Sequence, residues 1–318
     1  MTRKVRNSLI LAKIETTVGT DSVPTAADNA ILVSNQNVDT SFNNIDRALI
    51  RSYFGASEHL AGTRFVQITF DVELSGSGTA GTAPAYGPLL RMCGMAQTVT
   101  AGQRVEYNPI TNSLEAGTIY YYDDGVLHKA LGCRGNVELK TGLGERPLMS
   151  YTFVGIDGGV TAAANPNGTF TAFRKPVVIT DATAGDITLG CTYATGALTG
   201  GTTYKSRGMQ VNLGNEAKHI PLLGGEEVDI TGREVTGSCE LMLAAADEVS
   251  FMTAINASDT ISLGFTFGTT AGNRVLIHAP AVQRINPKKV DYEGRRLIGM
   301  DLRFLPVSGN DDLRLVVS

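Results

Sequence analysis

Tryptophan is absent from this 318-residue chain, and cysteine, histidine and basic charge are all scarce. The four cysteines, Cys93, Cys133, Cys191 and Cys239, lie far apart and never share CxxC spacing. That excludes zinc-ribbon and thioredoxin-like patterns and leaves small buried thiols in a reducing compartment as the reading. The four histidines, His59, His128, His219 and His278, form no i,i+4 pair and no HExxH motif, so a metalloprotease site is excluded. Gly-x-Ser-x-Gly is missing too, and with it the nucleophile elbow. Lysine and arginine number 27 against 31 acids, for a formal net charge of -4. A dedicated nucleic-acid binder would carry a basic face; DNA that slides past without sticking stays compatible. The apolar run at residues 9–12 follows a basic start but stops at Lys13 and Glu15. It is too short for a signal peptide, and no other run approaches a membrane span. The expectation is a soluble protein made in a cytoplasm, with no membrane segment. Long Ala/Glu/Lys/Leu runs are also lacking, whereas Gly reaches 36 and Thr, Val and Asn are common. That balance favours strands and turns.

What is present reads as one unit used twice. Residues 64–74 alternate apolar and polar side chains, the period of a half-buried strand. Residues 233–243 align with them without a gap. Arg64 matches Arg233, Val66 matches Val235 and Val72 matches Leu241, while Asp71 and Glu240 keep an acid on the other face. Residues 146–153 and 295–302 form a second matched pair, and Val126-Leu127 and Val275-Leu276 precede them at one shared distance. A duplicated β domain suits a building block of symmetric assemblies, because each copy can take an equivalent position. The division expected is 1–156, a Gly/Ala/Asn/Pro-bearing linker at 157–170, and 171–318. The fold class expected is mainly β: two tandem antiparallel β-sandwich or barrel domains, each with one short flanking helix. The helices fall at residues 86–95 and 247–257, the second with Asp247 as N-cap and Val249, Met252 and Ile255 on its apolar side. Residues 1–30 read as irregular. Two long connections, 40–63 and 214–232, interrupt otherwise short turns. Connections of that length are usually interacting segments unless they hide a hairpin.

Few motifs carry chemistry. Gly76, Gly78 and Gly81 match GxGxxG between a strand and a helix. A dinucleotide-binding first strand is buried on both faces, whereas residues 66–74 alternate and carry Asp71 and Glu73, so a flexible turn is the better reading. The adjacent carboxylates at Glu226-Glu227 and Asp123-Asp124 lack the context of a calcium loop and read as solvated turns. Tyr120, Tyr121 and Tyr122 would point to alternate faces of a strand, one set to the core and one to an interface.

Residues 11–24 (LAKIETTVGTDSVP), with 28–33 after them, resemble the opening of tail tube proteins of long, non-contractile-tailed, siphovirus-like phages. So do residues 70–78 and 87–94. The resemblance implies a major tail tube protein: a β-sandwich with a flanking helix, stacked as rings around a DNA channel and located in the virion tail after synthesis in the bacterial host. Six tube domains usually make a ring, so a two-domain chain would form a homotrimer with pseudo-sixfold symmetry. It would meet tape measure and tail terminator proteins and pass double-stranded DNA without sequence preference. No enzyme activity and no cofactor are implied. Asp71, Glu73 and Glu240, on the solvated side of their strands, are the lumen candidates. Arg47, Arg51, Tyr53, Phe54, His59, His219, Glu226 and Glu227, in the two long connections, are the inter-ring candidates. Two other classes compete: an Ig-like adhesion module, and a nucleotide-binding enzyme using Gly76 to Gly81.

Overall fold

A computed structural model describes residues 2–318. The first half contributes β1 (Ser8–Ile14), β2 (Ala30–Ile31), β3 (Ser34–Ile45), β4 (Leu60–Glu73), α1 (Gly87–Met92), β5 (Met95–Thr100), β6 (Arg104–Pro109), β7 (Gly117–Asp123), β8 (Val126–Gly142) and β9 (Leu148–Ala162). The second contributes β10 (Ile187–Leu189), β11 (Thr192–Ala194), β12 (Ala197–Thr199), β13 (Thr202–Tyr204), β14 (Ser206–Asn212), β15 (Asn215–Leu222), β16 (Gly225–Arg233), β17 (Thr236–Leu241), α2 (Ala245–Asn256), β18 (Thr260–Phe267), β19 (Val275–Tyr292), β20 (Arg295–Leu305) and β21 (Arg314–Val317).

The protein is mainly β, built from large antiparallel sheets that stay open rather than closing into barrels. One sheet runs through both halves in the order β3–β4–β9–β8–β14–β17–β20–β19. Its alternation is the one expected: Val66, Ile68, Phe70 and Val72 are buried, while Gln67, Thr69, Asp71 and Glu73 lie on the opposite, wetter face. A second layer covers the apolar face. It comprises β2–β1–β7 against the start of β8 and β5–β6–β21–β19–β18–β10–β13. β8 and β19 are 17 and 18 residues long. Register shifts along each let them bend from one layer into the other. Between the layers, Tyr151 stacks on Phe153 with centroids 5.5 Å apart, and Phe70 packs beside both. α1 adds Leu89, Leu90 and Met92, all fully buried.

The same order of pairings recurs in each half: β2–β1–β7–β8–β9–β4–β3, then β13–β10–β18–β19–β20–β17–β14. Val72 lies opposite Met149, and its aligned residue Leu241 lies opposite Ile298. A helix follows β4 in one half and β17 in the other.

Several local expectations are corrected. Residues 1–30 hold β1, whose Leu9, Ile10, Leu11 and Ala12 are buried. The long connections are hairpins. β3 and β4 pair out to Ile45 and Leu60 and leave only residues 46–59 irregular, and β15 pairs with β16 throughout residues 214–232. Asp247 sits inside the first turn of α2, because the N-cap is Ala244, which offers no side-chain bond. Val249 is exposed and Phe251 fills the apolar side instead. β9 continues to Ala162. The chain after it is strapped down, with the Thr169 amide donating to the Ala26 carbonyl at 3.0 Å and Phe170 packing on Leu9 and Leu11.

Candidate assembly surfaces

The segment that carries the family-like opening works as an anchor. The buried Glu15 carboxylate accepts from the Gly19 amide at 2.7 Å, the Thr118 hydroxyl at 2.8 Å and the Gly132 amide at 2.8 Å. It thereby ties the turn after β1 to β7 and β8. Asp21 accepts from the Tyr120 hydroxyl at 2.6 Å and pairs with Lys129 at 3.0 Å. Burial alone would raise its carboxyl, but these hydrogen bonds outweigh burial and hold it below the usual range. Replacing Glu15 by Ala leaves three donors without their acceptor, so Glu15→Ala is expected to lose about 3 kcal/mol of stability in urea titration, and Glu15→Gln less.

The wet face of the long sheet carries rows of mostly polar residues that cross the boundary between the halves. One row reads Asp71, Ser150, Glu138, Asn212, Thr236, Arg303 and Gln283; the next reads Glu73, Leu148, Lys140, Gln210, Ser238, Asp301 and Ile285. Asp71, Glu73 and Glu240 all sit on this face. Each is matched: Asn35 donates to Asp71 at 2.8 Å, Arg146 to Glu73 at 2.8 Å and Arg207 to Glu240 at 3.0 Å. Lys140 lies 3.2 Å from Glu138, and Arg303 pairs with Glu234. Four of these acids are thus paired with a base, while Asp71 is held by a neutral amide. Glu138, Lys140, Asp301 and Arg303 were not singled out from the sequence, although the alternation of Asn136, Glu138 and Lys140 with Val137 and Leu139 was there to be read.

Two hairpins project from the ends of this sheet. The tip at residues 46–59 is exposed almost throughout, with Ile50 and Phe54 fully open and Tyr53 and Leu49 largely so. Arg47 pairs with Glu58, His59 lies 3.8 Å from Asp46, and Arg51 is exposed. Exposed apolar clusters of this kind mark contact surfaces. The β15–β16 hairpin differs at its root. Val228 is buried, and the Arg134 guanidinium donates to the Val228 carbonyl at 2.6 Å and to Asp229 at 3.0 Å. His219 stacks near Phe65, with centroids 5.4 Å apart, and lies 3.2 Å from Glu226. With its side chain only 6% exposed, His219 belongs to the docked root and not to a free tip. Glu226, Glu227, Leu222 and Leu223 remain exposed.

The Gly76–Gly81 segment is filled by the turn before β19. The Gly76 amide donates to Asn273 at 2.7 Å and the Gly78 amide to the Gly272 carbonyl at 2.9 Å. A Cβ at Gly76 would lie 1.9 Å from that carbonyl oxygen, so Gly76 and Gly78 serve close packing between the halves, while Gly81 packs on the Thr100–Gln103 turn of its own half. All four cysteines are buried and reduced, and burial raises each thiol, that of Cys239 to about 12. Among the described residues no cluster of three or more His, Cys, Asp or Glu could hold a metal, and no helix is long and apolar enough to cross a membrane. Tyr120 and Tyr122 share a face and meet edge-on at 6.4 Å, while Tyr121 turns the other way toward the core and His128.

His278 is buried with Nε2 unpaired, and burial, helped by Arg314, holds its imidazole down at about 4. The unfolded chain therefore binds the extra proton at higher pH, near 6.5, and stability falls as pH drops from about 6.5 toward 4. The thermal midpoint should decline over that window, and His278→Gln should flatten the decline.

A structure of this kind offers surfaces rather than a catalytic cleft: a polar sheet face, projecting apolar tips and open strand edges. No curated protein matches the chain. A family model described as phage tail tube protein matches residues 6–308, nearly its whole length. The chain belongs to the phage tail tube protein family and is a structural component of the virion tail.

Proposed function

We propose that this protein builds the tube of a long, non-contractile phage tail, with three copies closing one ring and rings stacking around a channel for DNA. The observation that carries this reading is the single sheet shared by both halves, with a covered apolar face and an open polar one. The halves are read as duplicated tube units, 1–156 and 171–318, joined through 157–170. Each chain then supplies eight adjacent strands of a wall.

Strand spacing supports this ring size. Three copies of eight strands make about 24; at ~4.8 Å per strand the wall has a backbone diameter of ~37 Å before tilt widens it. Side chains extending ~5 Å inward leave ~27 Å. Two copies would leave only ~14 Å, hardly more than the ~12 Å that the major groove of a duplex alone takes up. Three is the smallest ring that works. Asp71, Glu73 and Glu240 line its channel, and the tip carrying Arg47, Arg51, Tyr53, Phe54 and His59, with Glu226 and Glu227, makes the ring-to-ring contact. Tape measure and tail terminator proteins fill and cap the tube, and assembly takes place in the host cytoplasm.

Lysines and arginines paired with acids on this face suit passage, since unpaired ones would grip phosphates. Duplex DNA is therefore expected to bind weakly even at low salt in fluorescence anisotropy; tight binding with a steep salt dependence would contradict a non-stick channel. Electron microscopy of the purified protein tests the whole reading. Tubes with three chains per ring are expected. Six chains per ring with residues 171–318 outside the wall would overturn the trimer, and small monodisperse particles that never polymerise would point to an adhesion-like module.

A further inference from the structure

β8 and β14 come from opposite halves, and their pairing displays how one unit joins the next. Gln210 lies opposite Lys140, Val211 opposite Leu139 and Asn212 opposite Glu138, and the Leu213 amide donates to the Val137 carbonyl at 3.0 Å. Each of the two strands has a counterpart whose equivalent edge is free. β3 is the counterpart of β14. Asn37 faces Thr69 of β4, as Gln210 faces the aligned Ser238 of β17, so Val38 and Asp39 stand for Val211 and Asn212. Both strands also carry a register shift beside a left-handed residue at the same place, Asn35 at φ 54° and Gly208 at φ 93°. β19 is the counterpart of β8. Lys289 faces Ile298, as Leu139 faces the aligned Met149. The register shift at Asn286 and Pro287 adds one residue, so Lys288 and Val290 stand for Glu138 and Lys140. β3 pairs only with β4, and β19 beyond Ile285 pairs only with β20. Asp39, Lys288 and Lys289 are all exposed.

We propose, resting on the ring reading above, that β3 of one copy adds to β19 of the next in the register of the internal β8–β14 junction. Asp39 then lies opposite Lys288 of the neighbouring copy, Val38 opposite Lys289 and Asn37 opposite Val290. The charges select this pairing over its competitors. Two β19 edges would bring Lys288 of both copies together (Lys289 already lies 3.2 Å from Glu248 of its own chain), and two β3 edges would do the same with Asp39, so each edge repels itself and accepts the other. That polarity makes the contact head-to-tail, which closes a ring instead of a twofold dimer. The ladder also ends early. At Gly208 an added Cβ would lie 1.8 Å from the Thr141 carbonyl oxygen, and the counterpart residue Asn35 has a side chain. The contact between copies is therefore confined to residues 37–40 and is shorter than the internal one.

Cysteine pairing tests the register. Residues directly opposite in an antiparallel pair have Cα atoms about 4.5–5.5 Å apart, within disulfide reach. Oxidised tubes of the Asp39→Cys/Lys288→Cys protein should give a covalent ladder ending at three chains on a non-reducing gel. The Asn212→Cys/Glu138→Cys protein should close its bond inside the monomer, which checks the template itself. Independently of any cysteine, Asp39→Lys and Lys288→Asp should each lower tube yield at least about tenfold, and their combination should restore it. Bonds within one chain, or between two copies of position 39, overturn the register. So does normal tube yield from both single charge reversals. Wild-type tubes without the 39–288 bond would sink this register while leaving the ring standing; a wild-type protein that never forms rings would remove the ring reading itself.

Discussion

A protein whose residues 48–59 are replaced by a short Gly-Ser turn is expected to fold, remain soluble and lose tube formation entirely. The removed stretch lies beyond the last paired residues of β3 and β4, Ile45 and Leu60, so no ladder bond is cut. None of its apolar side chains reaches the core: Leu49, Ile50, Tyr53 and Phe54 all face solvent. An isolated chain gains nothing from exposing such a cluster, and burial against another copy at ~25 cal/mol per Å² is its natural use. Circular dichroism and the thermal midpoint should match the parent within about 0.5 kcal/mol, the range of surface changes, while sedimentation and electron microscopy show only small species. Tubes of normal length from this protein would mean that stacking is carried elsewhere, with the β15–β16 tip and its exposed Leu222 and Leu223 the next place to look.

The second large effect is expected at Gly208, where Gly208→Ala should cost about 4 kcal/mol or more. The residue holds φ at 93°, a conformation that itself costs an alanine roughly 1–2 kcal/mol. A Cβ there would also meet the Thr141 carbonyl at 1.8 Å and the Gly142 Cα at 3.1 Å. Both neighbours are backbone of β8, so the clash cannot be relieved by a side-chain rotation. Relief requires β14 to leave β8, which opens the long sheet at the boundary between the halves. Gly102→Ala is the control, because Gly102 has φ 69° with nothing within 4 Å of the added Cβ and should show the conformational cost alone. Urea unfolding separates the two, and limited proteolysis should cut the Gly208 variant near the boundary. Equal losses at the two positions would show that the β8–β14 contact adds nothing to stability.

Alternation made residues 66–74 legible as a strand, because one face is buried and one is wet, and the chain writes that difference at every second position. The hairpin turn at Asp124-Gly125 was legible for a similar local reason: both residues need positive φ, 43° and 94°, and Gly and Asp tolerate it. Both short helices are legible in the sequence, but α2 is capped by Ala244 and not Asp247, and of its expected apolar side Met252 packs on the core while Val249 does not. Val249 recurs at helical spacing yet is exposed, since only the partner surface, here Arg284 stacked 4.6 Å over Phe251, decides which stripe is covered. The family resemblance was legible in the opening, a segment whose Glu15 and Asp21 carboxylates tie one turn to β7 and β8. The glycines at 76–81 match a phosphate-binding spacing because a tight approach to another backbone demands the same missing Cβ as a phosphate does, and the alternation of residues 66–74 already spoke against that motif.

By itself, then, the chain determined its mainly β character and, where alternation is strict as at residues 66–74, which side chains would be inside. Tertiary structure alone decided that residues 126–142 and 275–292 are single bent strands, that β21 of one half pairs with β6 of the other, and that β8 joins β14 to make one sheet of both halves. The reason is the nature of the bond. Burial is recorded in side chains, residue by residue, whereas strand pairing is made by amide and carbonyl groups that every residue carries alike, so the choice of partner strand appears only when the whole chain has found its place.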